Sequence, residues 1–343
     1  EEVEKVIAPL VSDGQTTEST EEAQEEKDPL IPEIDTSVEL QAGSRVAVVS
    51  KSTSGEFWGL VKKGMEQAIA DVNEAYGFKK EDQVTMTFEG ASDEKDVESQ
   101  VNTIDAVIAE NPDVLCVSAS DMDSLQAQLE AAKENGIPVV AFDSGVTDSK
   151  MVRAFRGTDN TRVGEIAAYR LATAIGKMGK VAVFSAQEKT QSIQERVSGF
   201  TNYITNYPDI EVVEIVYQDQ VDDMTAAMQE VLDKYPQLDG VFCDNADIAD
   251  LYLDMKKDET KDSIVMVGVD ATAKQQEAIR NGKEVGVVSQ QPYAMGYQTI
   301  WTALLTTAPK KSVEIKRNVR IDPAWIDSSN IDDPTYSSYL YAN

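Results

Sequence analysis

Residues Arg45 to Gly77 read RVAVVSKSTSGEFWGLVKKGMEQAIADVNEAYG. Val46 to Val49 are wholly apolar, the pattern of a strand covered on both faces of a parallel sheet, and a helical pattern follows within a few residues. The stretch reads as strand, polar turn and helix. Thr53 and Glu56 have the T-x-x-E spacing of a capping box, and Gly77 stands where a helix stops. This predicts a helix from near Glu56 with Phe57, Val61, Met65, Ala68 and Val72 on its inner face. Phe57 and Trp58 fall in the first turn, which in an open α/β sheet faces the crevice at the carboxyl ends of the strands, where ligands bind. One ring is expected to pack in the core and the other to look outward.

At 343 residues and 41% hydrophobic content the chain is long enough for two domains with proper cores. No run approaches the eighteen or so apolar residues of a membrane span. It begins at Glu1 without Met; any targeting peptide is expected to have been removed, which leaves the compartment open. The net charge of −30, from 31 Lys plus Arg against 61 Asp plus Glu, repels nucleic acid and anionic membranes. With no histidine, Ser-His-Asp, Cys-His and His-metal chemistry are excluded together, and neither a metal nor a cofactor is expected. Cys116 and Cys243 lie in apolar strand patterns far apart in the chain and read as buried, unpaired thiols.

From Glu1 to about Ala42, thirteen acids face only Lys5 and Lys27, so residues 1–42 are expected to form a flexible acidic tether. Val3 to Leu10 is a short amphipathic patch that could dock on the body instead. After Ala42 strands and helices alternate. The first series has strands at Val46–Val49, Val84–Phe88, Val114–Ser118 and Pro138–Phe142, with right-handed helical crossovers between them. A second series begins at Ala154 and runs through Val181–Ser185, Glu211–Tyr217, Gly240–Cys243, Ile264–Val269 and Val285–Ser289. A last helix near Tyr293–Thr307 and a strand at Val313–Val319 belong to one body or the other.

The motifs VAVVS…GEFW…VKKG, GIPVVAFDSGV, RGTDN…G, QERVSGF, YPQLDGVFCDN, VMVGVDAT and VVSQQPYAMGY follow one another between about Arg45 and Val319. Their kind and order resemble the ribose-binding-protein type of periplasmic binding protein, the solute receptors of sugar ABC transporters. The resemblance implies a type I fold: two similar doubly wound parallel-sheet, Rossmann-like α/β domains joined by three hinge crossovers, near residues 145, 290 and 318. The N-terminal domain would comprise 43–145 plus 291–317, and the C-terminal domain 146–290 plus 318–343. Closure about the hinges would trap the ligand.

The same resemblance implies a ligand set. Phe57 and Trp58 would stack on the apolar face of a sugar ring. Asp143 would accept hydroxyl hydrogen bonds, Arg196 would offer its five-donor fork, and Asn245, Asp270 and Gln290 would complete the polar contacts. Two positions depart from the ribose-type pattern: Gly55-Glu56 stands where Asn-Pro precedes the aromatic pair, and Asp143-Ser144 where Asp-Arg occurs. One amide and one cation are missing, and Arg156 is a candidate to restore the charge.

Each assignment has a plainer competitor. Asp270 is also placed to cap a helix starting near Thr272, Arg196 to form a surface ion pair, and Gln290 to bond backbone at a hinge. Of Asn245 and Asp247, Asn245 is expected at the ligand and Asp247 at the helix cap. DMDS at Asp121–Ser124 reads as ordinary capping, GKMGK at Gly176–Lys180 lacks phosphate-loop spacing, and Asp219, Asp222 and Asp223 lack a calcium-loop pattern. The expectation is a non-enzymatic, monomeric receptor for a monosaccharide or similar polyol. It would work outside the cytoplasm, periplasmic or as a cell-surface lipoprotein, with a membrane ABC permease as partner. A binding protein serving a chemoreceptor or sensor kinase stays open; a LacI-type regulator core would need a basic DNA-binding module, whereas residues 1–42 are acidic.

Overall fold

The computed structural model describes residues 28–257, 263–309 and 313–341. The expected tether over residues 1–27, with the patch Val3–Leu10, lies outside the described residues. The first series comprises β1 (Arg45–Ser52), α1 (Glu56–Tyr76), β2 (Thr85–Ala91), α2 (Val97–Ala109), β3 (Val114–Val117), α3 (Gln126–Glu134), β4 (Val139–Phe142) and β5 (Ala154–Thr158). The second comprises α4 (Asn160–Ala174), β6 (Gly179–Ser185), α5 (Gln191–Ile204), β7 (Ile210–Tyr217), α6 (Met224–Lys234), β8 (Gly240–Cys243), α7 (Ala246–Met255), β9 (Val265–Val269), α8 (Ala273–Arg280) and β10 (Gly286–Ser289). Then come α9 (Pro292–Thr307), β11 (Asn318–Ile321) and β12 (Ala324–Asp327).

Two six-stranded sheets result, ordered β11-β5-β4-β3-β1-β2 and β12-β10-β9-β8-β6-β7. The first is wholly parallel; in the second β12 alone runs antiparallel, against β10. Both carry the doubly wound 2-1-3-4-5 order, in which the sheet changes direction beside its first strand and leaves a crevice there. The apolar run of β1 is explained by its central place. Val46 and Val48 enter the core on one face with Val114, Cys116 and Val140, while Ala47 and Val49 enter the other with Leu115, Val117 and Ala141. Cys116 and Cys243 are buried and unpaired, as expected.

Sheet pairing moves two of the expected crossovers. β5 pairs in parallel with β4, with Val140 opposite Ala154, so the first sheet retains the chain through Thr158 rather than to about residue 145. The last strand of that sheet is Asn318–Ile321, later than the expected Val313–Val319, and it pairs with β5. The third crossover therefore falls between Ile321 and Ala324 rather than near 318, and the second stays near residue 290. Residues 28–42 also differ from a free tether. Val38 and Leu40 are buried, the Tyr76 hydroxyl donates to the carbonyls of Asp35 and Val38 at 3.0 and 2.7 Å, and Gln298 Nε2 donates to Leu30 O at 2.7 Å.

The capping box at α1 is not formed. Gly55 caps the helix with φ 90°, a left-handed value that suits glycine, and the Thr53 hydroxyl turns to Ala91 O. The predicted inner face holds: Phe57, Val61, Met65, Ala68 and Val72 are all buried. Helices cross at paired glycines. A Cβ on Gly64 would collide with the Tyr293 carbonyl and one on Gly296 with the Val61 carbonyl, so α1 and α9 meet backbone to backbone. In the other body Gly164 and Gly199 do the same for α4 and α5, against the carbonyls of Arg196 and Thr161.

Gly64→Ala should therefore destabilise the fold in urea unfolding by about 2–3 kcal/mol, the upper range for overpacking against atoms that cannot give way. Gly59→Ala, on the same helix with open space around its would-be Cβ, should be neutral or stabilise by up to about 1 kcal/mol. Equal effects at the two positions would contradict the backbone-contact account.

Candidate functional site

A cavity of about 540 Å³ lies between the facing strand ends, and all seven expected residues, Phe57, Trp58, Asp143, Arg196, Asn245, Asp270 and Gln290, line it. The bodies touch around it. Glu56 Oε2 accepts from Ala273 N at 3.0 Å, Gly145 N donates to Gln191 Oε1 at 2.6 Å, and Met122 N donates to Lys189 O at 2.9 Å.

On the first body both aromatics are buried, Trp58 at 3% and Phe57 at 9% exposure, so neither looks outward as expected. They meet edge to face with centroids 5.0 Å apart, and Trp58 is pinned by Nε1–H donation to Glu94 Oε1 at 2.7 Å. The cavity sees what remains of both rings. Asp143 directly follows β4 with φ 57°; its Oδ2 accepts from Ser118 Oγ at 2.8 Å and Ser144 Oγ at 3.0 Å, and pairs with Lys51 Nζ at 3.1 Å.

The second body repeats this plan. Asp270 directly follows β9, the fourth strand of its sheet, with φ 79°. Its Oδ2 accepts from Ala246 N at 2.9 Å, and its Oδ1 from Gln290 Nε2 at 2.7 Å. It does not cap the following helix, because Thr272 does so in a full capping box with Gln275. Arg196 is 3% exposed rather than at the surface: Nε donates to Asn160 Oδ1 at 2.9 Å and Nη1 to Asp244 O at 2.8 Å, which aims the fork at the cavity. Asn245 corrects the expected division of labour, since it, not Asp247, caps α7 by accepting from Ile248 N at 2.9 Å. Its amide nitrogen is left to face the cavity, while Asp247 stands exposed at the mouth. Gln290 sits at the second crossover, and its Oε1 accepts from Thr158 Oγ1, at the first, at 2.6 Å.

Lys51, not Arg156, stands as a cation in the cavity wall. Arg156 Nη1 is spent on the carbonyls of Phe155 and Lys316, away from the cavity, and burial pulls its pKa down to about 10. Lys51 occupies a bulge in β1, between Ser50 and Ser52, where the pairing with β2 slips by one residue. A bulge re-aims a side chain. Here it turns the amine into the cavity wall, between Asp143 and Glu94, which lies 3.4 Å away. Burial opposes the charge on Lys51, but the Asp143 and Glu94 carboxylates outweigh it and its pKa is raised. A cation directly after an apolar central strand was the available sequence signal; the bulge that aims it was not legible.

Two alike α/β bodies enclosing a cavity between their strand ends define the type I periplasmic-binding-protein fold. Residues 46–308 match the periplasmic binding protein domain family, and the chain belongs to it. The ribose import binding protein of Bacillus subtilis is 27% identical over 203 residues, 59% of this chain and 66% of that protein. The match thus spans just under two thirds of that relative's length. Among solved structures, an ABC transporter solute binding protein from Agrobacterium vitis with bound D-fucose has a TM-score of 0.79 and 28% identity, covering 87% of this chain and 100% of that one. A second from the same organism, bound with α-D-tagatopyranose, has a TM-score of 0.79 and 27% identity, covering 88% and 100%.

Three acids at or near the cavity titrate high. Asp247 at the mouth is raised to about 6 by desolvation and then by the neighbouring carboxylates of Glu94, Asp270 and Asp250. Asp244 is raised to about 6 by burial, against the pull of Ser185, Arg196 and the Ala186 N–H; Asp250 is raised to about 6 by burial, against Thr272 and Lys274. A raised carboxyl stabilises the fold most below its unfolded pKa and loses that contribution as pH rises through about 6. Asp35, Asp327 and Asp333 are shifted the other way, below 3.8, and stay ionised throughout pH 5–7. The thermal midpoint should accordingly rise as pH falls from 7 to 5, by a few degrees at about 2–4 °C per kcal/mol. Asp250→Asn should shrink the rise, and a midpoint that falls over this interval would refute it.

Proposed function

We propose that the protein is a solute receptor working outside the cytoplasm that captures a sugar between its two bodies by hinge closure and delivers it to an ABC permease. The observation that carries this is the cavity wall itself. Aromatic rings from one body face charged and amide groups from the other, and those groups are already held in place by protein partners. Such a wall suits a ring with an apolar face and many hydroxyls, because ionised donors and acceptors make the stronger hydrogen bonds. The volume lies in the ordinary range of small-molecule sites. The sugars named with the similar structures support the ligand class, and the family supports the location and the absence of catalysis. The acidic composition of residues 1–27 supports a tethered, lipid-anchored form, and a site whose two walls both come from one chain is compatible with a receptor that works as a monomer.

A thermal-shift screen with D-ribose, D-fucose, D-arabinose, D-tagatose, D-allose and xylitol should find a stabilising ligand. At 100 times its Kd such a ligand adds about 2.7 kcal/mol. Asp270→Ala should abolish the response while leaving a cooperative unfolding transition. Stabilisation by another solute class, with none from any sugar or polyol, would overturn the sugar assignment.

A further inference from the structure

Beyond β12 the chain returns to the ligand site. Ile331 packs with Ala271, Ile279, Val287 and Ile326, and Tyr336, Tyr339 and Leu340 cover the same cluster. Ser289 Oγ donates to Tyr339 O at 2.6 Å and Tyr341 N to Ala271 O at 3.1 Å, which lays the segment along the second body and delivers Tyr341 into the interior. Tyr341 is 2% exposed. Its ring joins the core of the other body, 6.1 Å between centroids from Phe57, while its hydroxyl donates to Asp270 Oδ1 at 2.8 Å and accepts from Gln290 N at 3.3 Å. Burial, and then the adjacent Asp270 carboxylate, push the phenol well above its ordinary pKa, so it stays protonated and keeps donating.

Asp270 needs such a partner. Its left-handed backbone costs on the order of 1–3 kcal/mol and persists only where the surroundings over-determine it. A carboxylate has about four acceptor positions. Ala246 N, Gln290 Nε2 and the Tyr341 hydroxyl take three, so the direction of the remaining one decides which ligand hydroxyl is recognised. Asp143, its counterpart, draws Ser118, Ser144 and Lys51 from its own body. Asp270 instead depends on a residue that touches both bodies.

We propose that Tyr341 is a positioning residue of the ligand site. It orients the Asp270 carboxylate toward the cavity while its ring is seated beside Phe57, and it thereby links sugar affinity to the carboxyl-terminal segment and to closure of the two bodies. The ligand side of this inference rests on the sugar-receptor reading; the bond between Tyr341 and Asp270 does not.

The test has two arms, both on the full chain. Without ligand, thermal midpoints of Tyr341→Phe, Asp270→Asn and the double variant should show a double-variant loss smaller than the sum of the single losses. With ligand, calorimetric titration using the screened sugar that binds tightest should show Tyr341→Phe weaker by at least about tenfold, the scale of one hydrogen bond to a charged acceptor. Tyr341→Phe should then cost little further affinity in the Asp270→Asn background, because it acts through that carboxylate. Tyr341→Phe keeps the ring, so a purely packing role would leave its affinity at the native value. Additive losses in the first arm, or native affinity for Tyr341→Phe, would overturn the proposal. Coupling in the first arm with no sugar bound by the native chain would sink the sugar reading and leave the positioning bond standing.

Discussion

Asp143 and Asp270 each carry a carboxylate into the interior, 3% exposed, on backbone held in the left-handed region. A buried charge is tolerated only when donors surround it. The search for those donors organises much of the molecule. Asp143 draws Lys51 out of the β1 bulge and recruits the hydroxyls that follow β3 and β4. Asp270 draws an amide N–H from the start of α7, an amide from the second crossover and a phenol from the end of the described chain. Gln290 then passes the constraint to Thr158 at the first crossover. The cavity wall and the crossovers between the bodies are thereby joined in one polar network.

The second constraint is close backbone approach. After its fifth strand each sheet gives up the chain: β5 leads to α4, which packs against α5 and β9, and β10 leads to α9, which packs against α1, β3 and β4. Each body is completed by a helix that follows the other body's sheet. The glycine pairs Gly64 with Gly296, and Gly164 with Gly199, let these helices seat without intervening side chains. In the second body the carbonyl that fills the place of a Gly164 side chain belongs to Arg196, so packing and guanidinium placement are set by the same contact.

Charge is distributed unevenly. In a chain of net charge −30, the two cations that line the cavity, Lys51 and Arg196, are both nearly excluded from water. Lys51 is neutralised by Asp143 and Glu94 and lies 5.7 Å over the Trp58 ring, so it organises the wall. Arg196 spends Nε and Nη1 on protein acceptors and keeps the rest of its fork for the cavity.

The alternation of apolar strands with amphipathic helices was legible in the sequence because burial on both faces leaves an unbroken apolar run, and burial on one helical face leaves a 3.6-residue period. The inner face of α1 followed from that, whereas the gathering of seven residues into one cavity was implied only by the resemblance of the strand-end motifs to a known family. Other features depended on pairing between distant segments. β5 joined the first sheet through its register with β4, which moved a crossover past Thr158. Glu56 left its apparent capping box to reach Ala273 in the other body. Lys51 was aimed by a slip against β2, and Tyr341 reached Asp270 from 71 residues away. Local sequence determined which elements form and which polar groups end their strands. Tertiary structure alone decided which body each element completes and which donors each buried carboxylate receives, because register, bulges and contacts across the cleft exist only between segments that the chain has already brought together.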